Sequence, residues 1–149
     1  MQARLTGAIS PDVLTGIQHL TKAIGSGGVD PVVLELVHLR VSQINGCSPC
    51  VYAGTVAARK RGETDQRLDT VAAWRESPFF TDAEAAALEL GEAATRVQDG
   101  APGVTDPIWD AAATYFDGKQ LAAIVMEVAL TNMFNRINRA VKEPAGKTW

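Results

Sequence analysis

"DPVVLELVHLRVSQINGCSPCVYAGTVAARKRG", residues 30–62, holds the pattern that decides the fold. Asp30 followed by Pro31 is a helix start: the aspartate side chain accepts from an orphan N–H, and a proline at the first helical position has none to lose. That helix is predicted to run to about Gln43, after which Asn45 and Gly46 turn the chain. The next helix begins near Cys47 or Ser48 and stops before Gly62, which has the character of a C′ residue. Cys47 and Cys50 are the only cysteines in 149 residues, and both fall where this helix starts.

The flanking sequence reads the same way. Ser10 and Pro11 open a first helix that ends at the glycines around 25–28, with Leu14, Ile17, Leu20 and Ile24 as its apolar stripe. "ETDQRLDTVAAWR" is a short fourth helix, broken by "SPFF" at 77–80. Thr81 and Glu84 form a capping box for a fifth helix to about Val97. "QDGAPGVTDP" is a loop too short to link domains. Asp106–Pro107 starts a sixth helix to about Phe116. Asp117 and Gln120 cap the long last helix, to about Val141, and the tail "KEPAGKTW" is expected to fray. No run alternates with period two, so the expectation is a single all-α domain over 1–149, seven helices around one core. The Ala-rich helices at 85–94 and 111–123 permit close approach and offer faces for another subunit.

Bulk composition narrows the function. The chain is 46% hydrophobic and 21% charged, with a net charge of −3. "RKRG" at 59–62 is its only basic cluster and reads as a solvated helix end, which argues against nucleic-acid binding. "MQARLTGAIS" has no apolar core, so no signal peptide is expected. "LAAIVM" at 121–126 is cut off by Glu127 and is too short to span a membrane. The expected location is cytoplasmic, where a Cys-x-x-Cys is catalytic or metal-binding more often than structural.

The spacing of Cys47 and Cys50 places both sulfurs on one helix face, within disulfide reach. Unpaired N–H groups at a helix N-terminus favour the thiolate, so a thiol there can ionise well below the free value of about 8.5. The bland reading makes both cysteines small buried apolar residues. A zinc site needs four ligands, and the sequence has no second Cys-x-x-Cys and only two histidines, His19 and His38. His19 lies in the first helix and reads as exposed or as a satisfied core residue. No phosphate loop and no haem or flavin motif is present, so neither a cofactor nor a metal is expected. Asn132, Asn135 and Arg136 interrupt an apolar helix and read as cavity, interface or surface residues. Trp74, Phe79 and Phe80 read as core or interface anchors, and Glu127 as exposed or paired at an interface.

"LELVHLRVSQINGCSPC", "VYAGTVAARKRGE", "LDTVAAWRESPFFTDAEAAALELGEA" and "NMFNR" at 132–136 together resemble the carboxymuconolactone decarboxylase-like family, most closely its AhpD-like alkylhydroperoxidase branch. The resemblance covers about residues 10–140. It implies an AhpD-like helical bundle forming homotrimers or homohexamers and reducing hydroperoxides through thiols. It further implies Cys50 as the peroxidatic thiol, Cys47 as the resolving thiol and Glu35, twelve residues before Cys47, as the proton-relay carboxylate. An external dithiol, lipoyl or thioredoxin-like, would recycle the disulfide.

Two positions depart from that family pattern. Where it has a histidine four residues after the second cysteine, this chain has Gly54. Where some members have one just before the second cysteine, it has Pro49. A peroxidatic thiol needs a base, and the leaving alkoxide needs an acid. Either His38, three residues after Glu35 and on the same helix face, takes over, or the peroxidase activity is weakened or lost. Gly54 itself costs a helix about 1 kcal/mol relative to alanine, which points either to a spatial reason such as close contact or room for substrate, or equally to drift at a disused site. Three functions follow: a thiol oxidoreductase for hydroperoxides, a non-enzymatic oligomeric stress-response or binding protein, and a lactone decarboxylase or other lyase that would not need its cysteines.

Overall fold

The computed structural model describes residues 2–5, 9–100 and 102–146, so the last part of the tail expected to fray lies outside the described residues. Among the described residues seven α-helices follow one another: α1 Pro11–Gly25, α2 Pro31–Asn45, α3 Ser48–Lys60, α4 Asp65–Thr70, α5 Asp82–Thr95, α6 Asp106–Ala113 and α7 Gly118–Val141. No strand occurs among the described residues. Most starts lie where side-chain caps predict them. Ser10, Asp30, Thr64, Thr81 and Asp117 each accept from a backbone N–H of the first turn. Both capping boxes, Thr81 with Glu84 and Asp117 with Gln120, close in both directions.

The fourth helix differs from expectation. It ends at Thr70 and continues as a tighter 3₁₀ segment, Val71–Glu76, with Ala73 at φ −121° and ψ 32°. The tightening buries Val71 and Trp74 together, and the indole N–H of Trp74 reaches Glu92 Oε1 at 3.0 Å. Tertiary contact thus overrides the propensity for a continuous helix.

α2 is the hub, with α3, α5 and α7 packed around it. Val33, Val37 and Val41 on one side of α2 meet Leu90 of α5 and Ile124 and Val128 of α7. Leu36 and Leu39 on the other side meet Ala58 of α3 and Leu68, Val71 and Trp74. A helix apolar on both sides has to be buried on both sides. Burying each such Val or Leu contributes about 1.5–3 kcal/mol. α1 is the least enclosed helix: Ile17 and Ile24 are buried, but Leu14 and Leu20 remain 41% and 40% exposed. The stripe expected from α1 is therefore half covered, because α1 rests chiefly on α7. Phe79 is likewise 41% exposed, whereas Trp74 is in the core and Phe80 packs against it.

Candidate redox site

The turn between α2 and α3 sets the site. Gly46 has φ +64°, a left-handed conformation that glycine adopts without strain. Its N–H donates to Gln43 C=O at 3.1 Å, and the Cys47 N–H to Ser42 C=O at 3.0 Å, closing the end of α2. Cys47 is then the N-cap of α3 and Pro49 lies in the first turn, where it costs no helical hydrogen bond. Cys47 and Cys50 are joined by a disulfide, their Cα atoms 5.3 Å apart. They are 0% and 5% exposed.

A row of amides on α7 fixes this turn. Asn132, Asn135 and Asn138 are spaced by three and share a helix face. Asn45 Nδ2 donates to Asn132 Oδ1 at 2.9 Å and to Asn135 Oδ1 at 2.8 Å. Asn135 Nδ2 donates to Ser42 Oγ at 3.1 Å. Arg139 donates to the Asn45 carbonyl. Asn138 Nδ2 reaches Cys50 Sγ at 3.2 Å. Arg136 does not enter the disulfide's surroundings; it is exposed and bonded to Asn132 Oδ1 at 2.6 Å.

One turn along α3 from Cys50, Gly54 lines a cavity of about 390 Å³ together with Glu35, His38, Arg61 and Glu127. Neither cysteine lines it. A Cβ at position 54 would lie 2.9 Å from His38 Cδ2 and 3.3 Å from both His38 Nε2 and Glu35 Oε1. The missing side chain is the space that His38 and Glu35 use, which accounts for a glycine inside this helix.

His38 Nδ1 is 3.1 Å from Thr131 Oγ1, which lies 3.3 Å from Glu127 Oε1. The Thr131 hydroxyl has one proton, so two arrangements exist. When it donates to Glu127 it accepts from His38 Nδ1–H; when it donates to Nδ1, the proton of the neutral ring sits on Nε2. Burial lowers the pKa of His38 below the usual 6.5, while hydrogen bonding to the Cys50 backbone acts in the other direction. Burial thus favours the uncharged ring. Burial also raises Glu35, to about 7, with Arg61 lowering it and Glu127 raising it further. Burial raises Glu127 as well, partly offset by the Thr131 hydrogen bond.

The four residues singled out from the sequence thus divide into two pairs: the disulfide Cys47–Cys50, and Glu35 with His38 at the cavity. His38 faces Gly54, one turn along α3 from Cys50. His19 is exposed. Sequence reading missed Glu127, Thr131 and Asn138. Glu127 faces the cavity and His38 from 3.8 Å, although its place after an apolar run had suggested exposure or an interface. No set of His, Cys, Asp and Glu suited to a metal occurs among the described residues. No described helix is long and apolar enough to cross a membrane.

Known proteins share this arrangement's frame. The chain is 33% identical over 133 residues to the uncharacterized protein YdfG of Bacillus subtilis, covering 89% of each. It is 36% identical over 117 residues to the uncharacterized protein YnjA of Escherichia coli, covering 78% of this chain and 63% of that one. The crystal structure of an Agrobacterium tumefaciens protein of unknown function, proposed to be the antioxidant defence protein AhpD, superposes with a TM-score of 0.89. Its sequence is 26% identical, and the match covers 99% of this chain and all of that one. Residues 11–93 match the profile of the Carboxymuconolactone decarboxylase family. With most of the site-forming helices inside that match and a relative one-third identical over nearly the whole chain, the protein belongs to the carboxymuconolactone decarboxylase family.

Proposed function

We propose that this protein reduces hydroperoxides through Cys47 and Cys50, as a cytoplasmic homotrimer or homohexamer recycled by an external dithiol of lipoyl or thioredoxin-like type. The observation that carries the reading is the disulfide at the start of α3, one turn from a cavity that holds two ionisable groups of the right kind. The Cys50 thiolate attacks the peroxide oxygen, the O–O bond breaks, and the alkoxide takes a proton. Cys50 becomes a sulfenic acid, which condenses with the Cys47 thiol to a disulfide and water. Two electrons and two protons from the external dithiol restore both thiols.

Glu35, with a pKa of about 7, supplies the acid for the alkoxide. Neutral His38 takes the thiol proton, directly or through one water, and the Thr131–Glu127 pair accepts the matching shift at Nδ1. His38 stands against Gly54, so the imidazole that the family pattern places four residues after the second cysteine is supplied here from α2. The test is direct: a reduced protein treated with cumene hydroperoxide loses two free thiols per chain, and Cys50→Ser loses none.

A second reading has one observation in its favour, that neither cysteine lines the cavity. Glu35, His38, Arg61 and Glu127 alone could serve lyase chemistry on a small lactone. A double Cys47→Ser/Cys50→Ser variant that kept full turnover would select it.

A further inference from the structure

Asn138 is 3% exposed, so both ends of its amide need partners inside the protein. Nδ2 has the sulfurs, Cys50 Sγ at 3.2 Å and Cys47 Sγ at 3.9 Å. Oδ1 has none, and it is one of only two such buried side-chain atoms among the described residues. Flipping the amide gives no relief: Oδ1 would then meet sulfur lone pairs and Nδ2 would lose its acceptors. The orphan follows from the redox state, because a disulfide offers acceptors and no S–H.

Reduction changes that inventory. A dithiol donor and the Cys47–Cys50 disulfide give the donor's disulfide, one protein thiol, one protein thiolate and a released proton. We infer that Asn138 assigns unlike roles to the two sulfurs of the reduced pair, its Nδ2–H holding Cys50 as the thiolate and its Oδ1 receiving the S–H of Cys47. The distances favour this order, since the donor sits 0.7 Å nearer Cys50 than Cys47. A thiolate at Cys47 would instead set the S–H of Cys50 against the Nδ2–H donor that lies 3.2 Å from it. The inference rests on the reading of Cys50 as nucleophile and adds what selects it. A sequence position 88 residues from Cys50 thereby decides which of two neighbouring thiols reacts.

The test uses the full-length protein and no hydroperoxide. The reduced protein is alkylated with iodoacetamide across pH, each cysteine being followed separately by mass. Cys50 should ionise below Cys47. In Asn138→Leu, which keeps the volume and removes both amide ends, Cys50 alkylation at pH 7 should slow about tenfold, the rate equivalent of one pH unit, and the order of the two thiols should narrow or reverse. Asn138→Asp, lacking the donor, should slow it at least as much. Should the variants fold poorly, the wild type still decides: the Asn138 side-chain amide signals in a ¹⁵N NMR spectrum should move on reduction and titrate with Cys50. Amide signals indifferent to redox state and pH, or Cys50 alkylation unchanged by either variant, would overturn the inference. Failure of the peroxidase reading looks different, as an Asn138-dependent Cys50 that hydroperoxide does not oxidise.

Discussion

In the proposed mechanism, a side chain absent at one position and present at another sets the proton chemistry. Gly54 leaves room that His38 fills, and an added Cβ would lie 2.9 Å from the ring. His38→Ala should therefore slow peroxide-driven thiol oxidation about a hundredfold, the usual scale for a lost general base. Adding Gly54→His to His38→Ala should recover at least a tenth of the lost rate, measured by stopped-flow with cumene hydroperoxide. Glu35 predicts a pH signature. Its acid form is present below about 7 and is lost as pH rises through that value. Plotted against pH, the ratio of wild-type to Glu35→Gln rates should fall across pH 6–8; a flat ratio would remove Glu35 from the relay.

Among the elements, the pairing of α2 with α7 matters most. The Asn45 amide spans Asn132 and Asn135, at 2.9 and 2.8 Å, and ties the cysteine turn to α7. Asn45→Ala should cost about 2 kcal/mol, roughly one for each hydrogen bond lost, read from urea unfolding of the oxidised protein. Helix starts were legible in the sequence because caps are local: Ser10, Asp30, Thr81 and Asp117 each lie within three residues of the N–H they serve. The cysteine turn was legible for the same reason, as an Asn-Gly before a Cys-x-Pro-Cys. The rest of the site was not. His38 and Thr131 meet across 93 residues, and only the packing of α7 on α2 brings them together. The 3₁₀ segment after Thr70 escaped because its cause is the burial of Trp74 against Glu92, 18 residues away.

Over the molecule as a whole, one buried charge ties α2 and α5 to the 3₁₀ segment after α4. Glu92 of α5 accepts from Arg40 at 2.6 Å, Arg75 at 2.6 Å, Arg96 at 2.8 Å and Trp74 at 3.0 Å. Burial alone would raise its pKa, but the hydrogen bonds from Arg75, Arg40 and Trp74 prevail and pull it down to about 2. That folded value lies below the ordinary 4.5, so the unfolded chain binds the extra proton. The stabilisation is complete above pH 4.5 and is lost as pH falls through about 2. Urea midpoints should therefore drop across that window in the wild type and less in Glu92→Gln. The variant should also be about 3 kcal/mol less stable at pH 7, since removing the carboxylate leaves the largely buried Arg40 uncompensated, while the half-exposed Arg75 and Arg96 turn to water.

The most direct test of the whole account is a count of thiols. Fully reduced protein is mixed with one equivalent of cumene hydroperoxide per chain at pH 7, quenched by alkylation at intervals and weighed. The account predicts loss of both thiols together within seconds, with Cys47→Ser trapping a sulfenic acid on Cys50 and Cys50→Ser leaving Cys47 reduced. Two thiols that stay reduced under excess hydroperoxide, in a protein that is folded and fully alkylatable, would contradict it.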